Sequence, residues 1–152
     1  MKRIGVALTL IGLLSLIFAT ESFAQRGIKW RGSGGWGPGS QYGRMYDTTT
    51  VQSIQGVVVS VDSIIPMKGM SYGVHLMVEI NKDTLSVHLG PGWFIENQDT
   101  KIEQKDTIEV KGSKINFQGK PTFIAAEVKK GNDVMKLRDE KGVPVWSGWR
   151  RG

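Results

Sequence analysis

Cysteine is missing from all 152 residues. That one absence excludes disulfides, thiol nucleophiles, Cys-ligated zinc, iron–sulfur clusters and covalently attached c-type haem. Histidine is scarce, so imidazole chemistry rests on His75 and His88 alone. Runs of helical periodicity are lacking in the body, and 20 glycines favour turns over long helices. Catalytic patterns are missing too. Ser86 stands two residues from His88, but no Gly-x-Ser-x-Gly elbow accompanies it. Gly34-Gly35-Trp36-Gly37 has no Lys-Ser/Thr after it and is no phosphate loop. Glu96, Asp99 and Glu103 read as a solvated acidic loop rather than an acid/base pair. The chain is not expected to be an enzyme.

What is present begins with an address. Lys2 and Arg3 precede an uncharged run of 17 residues, Ile4 to Thr20. Ser22-Phe23-Ala24 follows, with small residues at the two positions a signal peptidase reads. The pattern predicts a signal peptide over 1–24, cleaved before Gln25, and a periplasmic or secreted protein. As an uncleaved anchor the run would be at the short end for a bilayer span.

Charge is distributed unevenly within a formal net charge of +6. Residues 25–46 hold seven glycines, four basic residues and no acid. Neither helical nor strand periodicity runs through them, which predicts a flexible Gly/Arg/Trp-rich arm. Residues 47–149 hold 12 Lys and Arg against 13 Asp and Glu, and 150–152 form a basic end. The basic excess thus sits in the tails. A groove for a phosphate backbone would carry it on the body, so nucleic acid is not an expected partner. Arg26, Lys29, Trp30 and Arg31 are instead candidates for peripheral contact with anionic lipid or polymer.

The body, 47–149, reads as strands. Thr50 to Asp62 is rich in β-branched residues and carries Gly56, a mark of a bulge or bend. Gly73 to Asn81 and Thr84 to Leu89 alternate with period two and predict a hairpin. Trp93-Phe94-Ile95 has room for one helical turn. Lys105 to Phe117 is a long strand with a break near Gly112-Ser113. Gln118-Gly119 is a hairpin turn into Pro121 to Lys129. Asn132-Asp133 turns into Val134 to Arg138, and Asp139 to Gly142 turns into a closing strand at Val143 to Trp146. Five or six short strands with regular turns predict an all-β fold, a small OB-fold-like barrel, with a small β-sandwich as the alternative.

Several strings occur together: His88-Leu89-Gly90-Pro91 with Trp93 after it, Gly112-Ser113, Gly119-Lys120-Pro121 and Ala125-Ala126-Glu127. Leu137-Arg138-Asp139 with Gly142-Val143-Pro144-Val145-Trp146 completes the set. Between about Val51 and Trp149 the chain resembles the exported OB-like domain of magnetosome-associated proteins of the MamS/MamX type. The resemblance is looser to small periplasmic OB-fold proteins. It implies an accessory domain in the cell envelope, linked in some members to iron mineral maturation and redox. Members with a redox role carry Cys-x-x-Cys-His haem sites, and this chain has no cysteine to hold one.

Three candidate constellations remain. His75 and His88 lie on the two arms of one hairpin, on its less apolar outer face. A two-residue turn at Asn81-Lys82 would set them directly opposite each other, one at Lys82-Asp83 would make them diagonal neighbours on the same face, and a three-residue loop would put them on opposite faces. With Met77, and with Met67 and Met70 nearby in sequence, they suit copper. With Glu79 they suit iron or zinc. The alternative is two ordinary barrel-surface histidines. Arg138, Asp139, Pro144 and Trp146 form a candidate partner-binding edge, since proline suits an edge strand. Otherwise Trp146 plugs the barrel and Arg138 pairs locally. The expected function is a non-catalytic exported binding or scaffolding module for an envelope protein or small ligand. Metal handling with copper or iron is the alternative, and nucleic-acid or anionic-polymer binding stands third.

Overall fold

Valine and isoleucine at alternate positions commit most of this chain to pleated structure, and the turns between them decide how it closes. The computed structural model describes residues 34–148. The signal segment 1–24, the candidates Arg26, Lys29, Trp30 and Arg31, and the basic end 150–152 lie outside the described residues. Six strands follow in order: β1 (Val51–Ile64), β2 (Gly73–Ile80), β3 (Asp83–Pro91), β4 (Thr107–Phe117), β5 (Lys120–Lys130) and β6 (Asp133–Lys136). One short helix, α1 (Gly92–Ile95), joins β3 towards β4. Among the described residues no helix is long and apolar enough to cross a membrane.

β1 serves two neighbours. Its first half, Val51 to Val57, pairs with β4, and its second half, Val57 to Ile64, pairs with β2. The changeover carries a bulge between Val58 and Ser60, which bends the strand. Gly56 sits just before it, where a Cβ would run into the Glu79 carbonyl. The sheet order is β3-β2-β1-β4-β5-β6, and a parallel pairing of β3 with β5 through Ser86 to His88 closes five strands into a barrel. β6 is the extra strand, paired to β5 beyond the closure. The fold is the small OB-like barrel, not the sandwich.

The β2–β3 hairpin turns at Asn81-Lys82, because Ile80 pairs with Asp83. Asn81 takes φ 62°, a left-handed conformation that asparagine tolerates. Gln118 and Gly119 do the same between β4 and β5, with φ 53° and 81°. The third hairpin turns one residue earlier than the sequence pattern indicated, at Gly131-Asn132, since Lys130 already pairs with Asp133. Gly131 supplies the positive φ there. Inside the barrel Val58, Leu76, Val78, Val87, Ile108, Val110, Phe123 and Val128 form the core.

Two expectations need correction. Residues 34–46 are not a free arm. Trp36 and Tyr42 are 1% and 2% exposed and belong to the core cluster, and the described residues form one unit. Aperiodic glycine-rich sequence hid this, because two rings dock through tertiary pockets rather than through a repeating face. Gly73 is one such pocket, since a Cβ there would overlap the Trp36 ring. The C-terminal segment is not a closing strand either. Arg138 and Pro144 make an isolated bridge, and Val145–Gly148 is a 3-10 turn. Trp146, 1% exposed, is nonetheless the plug, seated over Gly90, where a Cβ would meet its ring.

Candidate functional site

The hairpin register puts His75 directly across from His88, with Met77 across from Ser86. Alternation gives both imidazoles the pleat face opposite Leu76, Val78 and Val87. That face is not solvent. His88 is 1% exposed, which corrects its expected place on the barrel surface. The 34–46 segment lies over it. Tyr42 Oη is 2.9 Å from His88 Nδ1, the two rings stack at 5.9 Å, and Phe117 meets the imidazole edge-on at 5.2 Å. His75 is half-buried, its Nδ1 3.0 Å from Ser86 Oγ and its ring 5.9 Å from that of His88.

Burial, with His75 and Arg138 nearby, pushes the His88 pKa down to about 4. Burial lowers that of His75 too, against the pull of Asp62. Burial pushes the Tyr42 hydroxyl up, with Arg138 opposing. The cluster is therefore a neutral, hydrogen-bonded layer at neutral pH. Of the candidate metal residues, the hairpin brings His75 and His88 together. Glu79 lies four residues along β2 from His75, about 13 Å at strand rise, and is exposed by the turn. Met77 is half-buried between them, while Met67 and Met70 pack against the core from the β1–β2 loop. Among the described residues no three His, Cys, Asp or Glu gather closely enough to hold a metal.

The C-terminal candidates scatter between surface and core. Asp139 is exposed, and its Oδ1 accepts from the backbone N–H groups of Lys141 and Val143, fixing the turn. Arg138, Pro144 and Trp146 are buried, so they do not form an open edge for a partner. Trp146 Nε1 donates to the Trp36 carbonyl at 3.0 Å, and the Arg138 guanidinium lies 5.0 Å over the Trp146 ring. Arg138 Nη1 donates to the carbonyls of Leu89 and Ala125. The motif strings thus converge: Leu89-Gly90, Ala125, Arg138 and Trp146 are mutual neighbours.

A cleft that the sequence reading missed opens at the barrel mouth. It holds about 350 Å3 between β1, β2, α1 and the loop after it. Its floor is Val74, Leu76, Leu89, Ile95 and Met135, and its rim carries Asp62, Glu96 and Lys101. Val61 pairs with Leu76 and so faces inward, yet it is 40% exposed. Tyr72, 43% exposed, reaches over the rim and donates to Glu96 at 2.7 Å. No sequence signal marked it, because alternation from Val58 would turn Val61 outward and only the bulge between Val58 and Ser60 brings it in line with Leu76.

A family model for the MamS/MamX magnetosome protein family matches residues 50–135. No curated protein matches the chain. The match spans more than half of the sequence, and the chain belongs to that family.

Proposed function

With membership of the MamS/MamX magnetosome protein family as the premise, we propose that the chain is a non-catalytic, exported binding module whose ligand seats in the barrel-mouth cleft. The observation that carries this reading is Val61, an inward-facing valine left 40% exposed over an apolar floor. A volume of about 350 Å3 suits a small apolar ligand or the apolar side chains of an envelope partner. The floor offers aliphatic surface rather than reactive groups, and the charged residues stand at the rim, where they orient a ligand. Export rests on the signal pattern of residues 1–24, and the basic Arg26 to Arg31 stretch adds peripheral attraction to anionic lipid or polymer.

Nile red, a neutral apolar dye, tests the cleft. Saturable fluorescence enhancement is expected with the purified protein. Val61→Glu, at an exposed position, should lower dye affinity about tenfold by placing a charge in the apolar site. Equal affinity in the variant removes the cleft from the proposal. Mass spectrometry of envelope-fraction protein tests export, with Gln25 expected as the first residue. Full-length chain held in the membrane would overturn that part.

A further inference from the structure

Arg138 is 7% exposed, and among the described residues it has no acidic partner. The ion pairs among the described residues are Lys130 with Asp106 and Lys136 with Glu127. Asp139, its neighbour in sequence, has Oδ1 committed to its own turn. The titratable groups that face the guanidinium are the hydroxyls of Tyr42 and Tyr46, which are neutral at neutral pH. Nη1 is used by the Leu89 and Ala125 carbonyls, and one face is covered by Trp146. Nε and Nη2 donate to none of the described residues. A guanidinium stays charged even when burial lowers its pKa, so a lone buried one is expensive.

This unpaired charge lines a groove of about 710 Å3 that shares no residue with the barrel-mouth cleft. Tyr46, half-buried, lines the groove as well. Lys111, Lys136 and Lys141 line it too. The acids there are Glu127, held by Lys136, Asp139, held by its turn, and Glu140. Cations exceed acids by one, and among the described residues Arg138, the buried cation, makes no ion pair.

We infer that this groove is an oxyanion-binding site in which Arg138 receives a carboxylate or phosphate group, with Lys111 and Lys141 attracting it from the rim. An Arg fork with free N–H groups matches either group in a planar, bidentate fashion. The groove is far larger than one such group, so the oxyanion is the headgroup of a larger ligand. The inference stands apart from the apolar cleft and survives if that proposal fails.

The test is nuclear magnetic resonance of the full chain as purified, following the Arg138 Nε–H signal. Inorganic phosphate, citrate and chloride are titrated separately at matched ionic strength. A saturable shift with phosphate, citrate or both is expected, with none from chloride. Phosphate alone identifies a phosphate-bearing ligand, and citrate alone a carboxylate. Arg138→Lys should weaken binding about tenfold, because an ammonium cannot reproduce the fork. Should that variant fail to fold, the exposed double variant Lys111→Gln/Lys141→Gln takes its place, with a loss of about threefold or more expected. An unmoved Nε–H, an equal shift with chloride, or wild-type affinity in the folded variants overturns the site.

Discussion

The two faces of the β2–β3 hairpin are both covered, but by different chemistry. The inner face presents Leu76, Val78 and Val87 to an aliphatic barrel core, where packing alone acts. The outer face presents His88 to Tyr42 and Phe117 and His75 to His88 and Ser86, and nearly every ring there also carries a hydrogen bond. Trp36 Nε1 donates to the Ser71 carbonyl, and Trp146 Nε1 to that of Trp36, so the aromatic layer is latched at several points. The difference teaches where specificity lies. Aliphatic packing tolerates exchange at constant volume. A layer of hydrogen-bonded rings fixes one docking of the 34–46 segment, since any other would strand a buried polar atom.

The most damaging way to break the comparison is to remove the outer cover. Deleting residues 34–46 takes away Trp36 and Tyr42 together and uncovers His88. Trp→Ala in a core alone costs about 3–5 kcal/mol, so the deletion should remove at least about 5 kcal/mol. Chemical denaturation should show a much lower midpoint, or no cooperative transition. An unchanged midpoint would mean that the segment is only draped on the barrel.

Acid should separate the faces next. The unfolded chain protonates His88 near the ordinary histidine value of about 6.5. The folded protein resists until about 4. The unfolded state therefore binds more protons in that window, and stability falls as pH drops through it. The loss should approach about 3 kcal/mol by pH 4, and half-buried His75 acts in the same direction. Asp47 and Asp106 have lowered pKa values, so their contributions disappear only at lower pH. Urea midpoints between about pH 7 and pH 4 measure the effect. His88→Phe should flatten the profile in that range, and an unaltered slope in that variant would assign the effect elsewhere.

Single substitutions sharpen the contrast at smaller scale. Val78→Ala should cost roughly 1–3 kcal/mol at any pH, through a cavity in the aliphatic core. Tyr42→Phe should cost about 1–2 kcal/mol at neutral pH, because it leaves buried His88 Nδ1 without its partner while keeping the ring. The smallest effect belongs to Glu79→Gln, exposed at the hairpin end, within about 0.5 kcal/mol. A larger loss at Glu79 would place that face in a contact which the register does not provide.

Much of the barrel was written in local pattern. Alternation in Gly73 to Leu89 specified the hairpin but allowed three turns, and only the pairing of Ile80 with Asp83 sets the turn at Asn81-Lys82 and His75 opposite His88. Gly112 announced the shift in β4 pairing, where a Cβ would strike the Ile124 carbonyl. Absence of cysteine excluded whole chemistries outright.

Other properties arose from distant residues meeting. Periodicity said which pleat face His88 takes, but not that Tyr42, 46 residues away, would cover it. The same limit made Trp36 look like part of a free arm and left Arg138 open between a local pairing and a partner-binding edge. Alternation is a property of one strand and its neighbour. Burial of an outer face, the closing of β3 on β5, and the burial of Arg138 without an ion pair among the described residues depend on which segments arrive there in space. Tertiary structure alone decided those, because a ring, a glycine gap and a carbonyl become a binding pocket only when three separate parts of the chain supply them together.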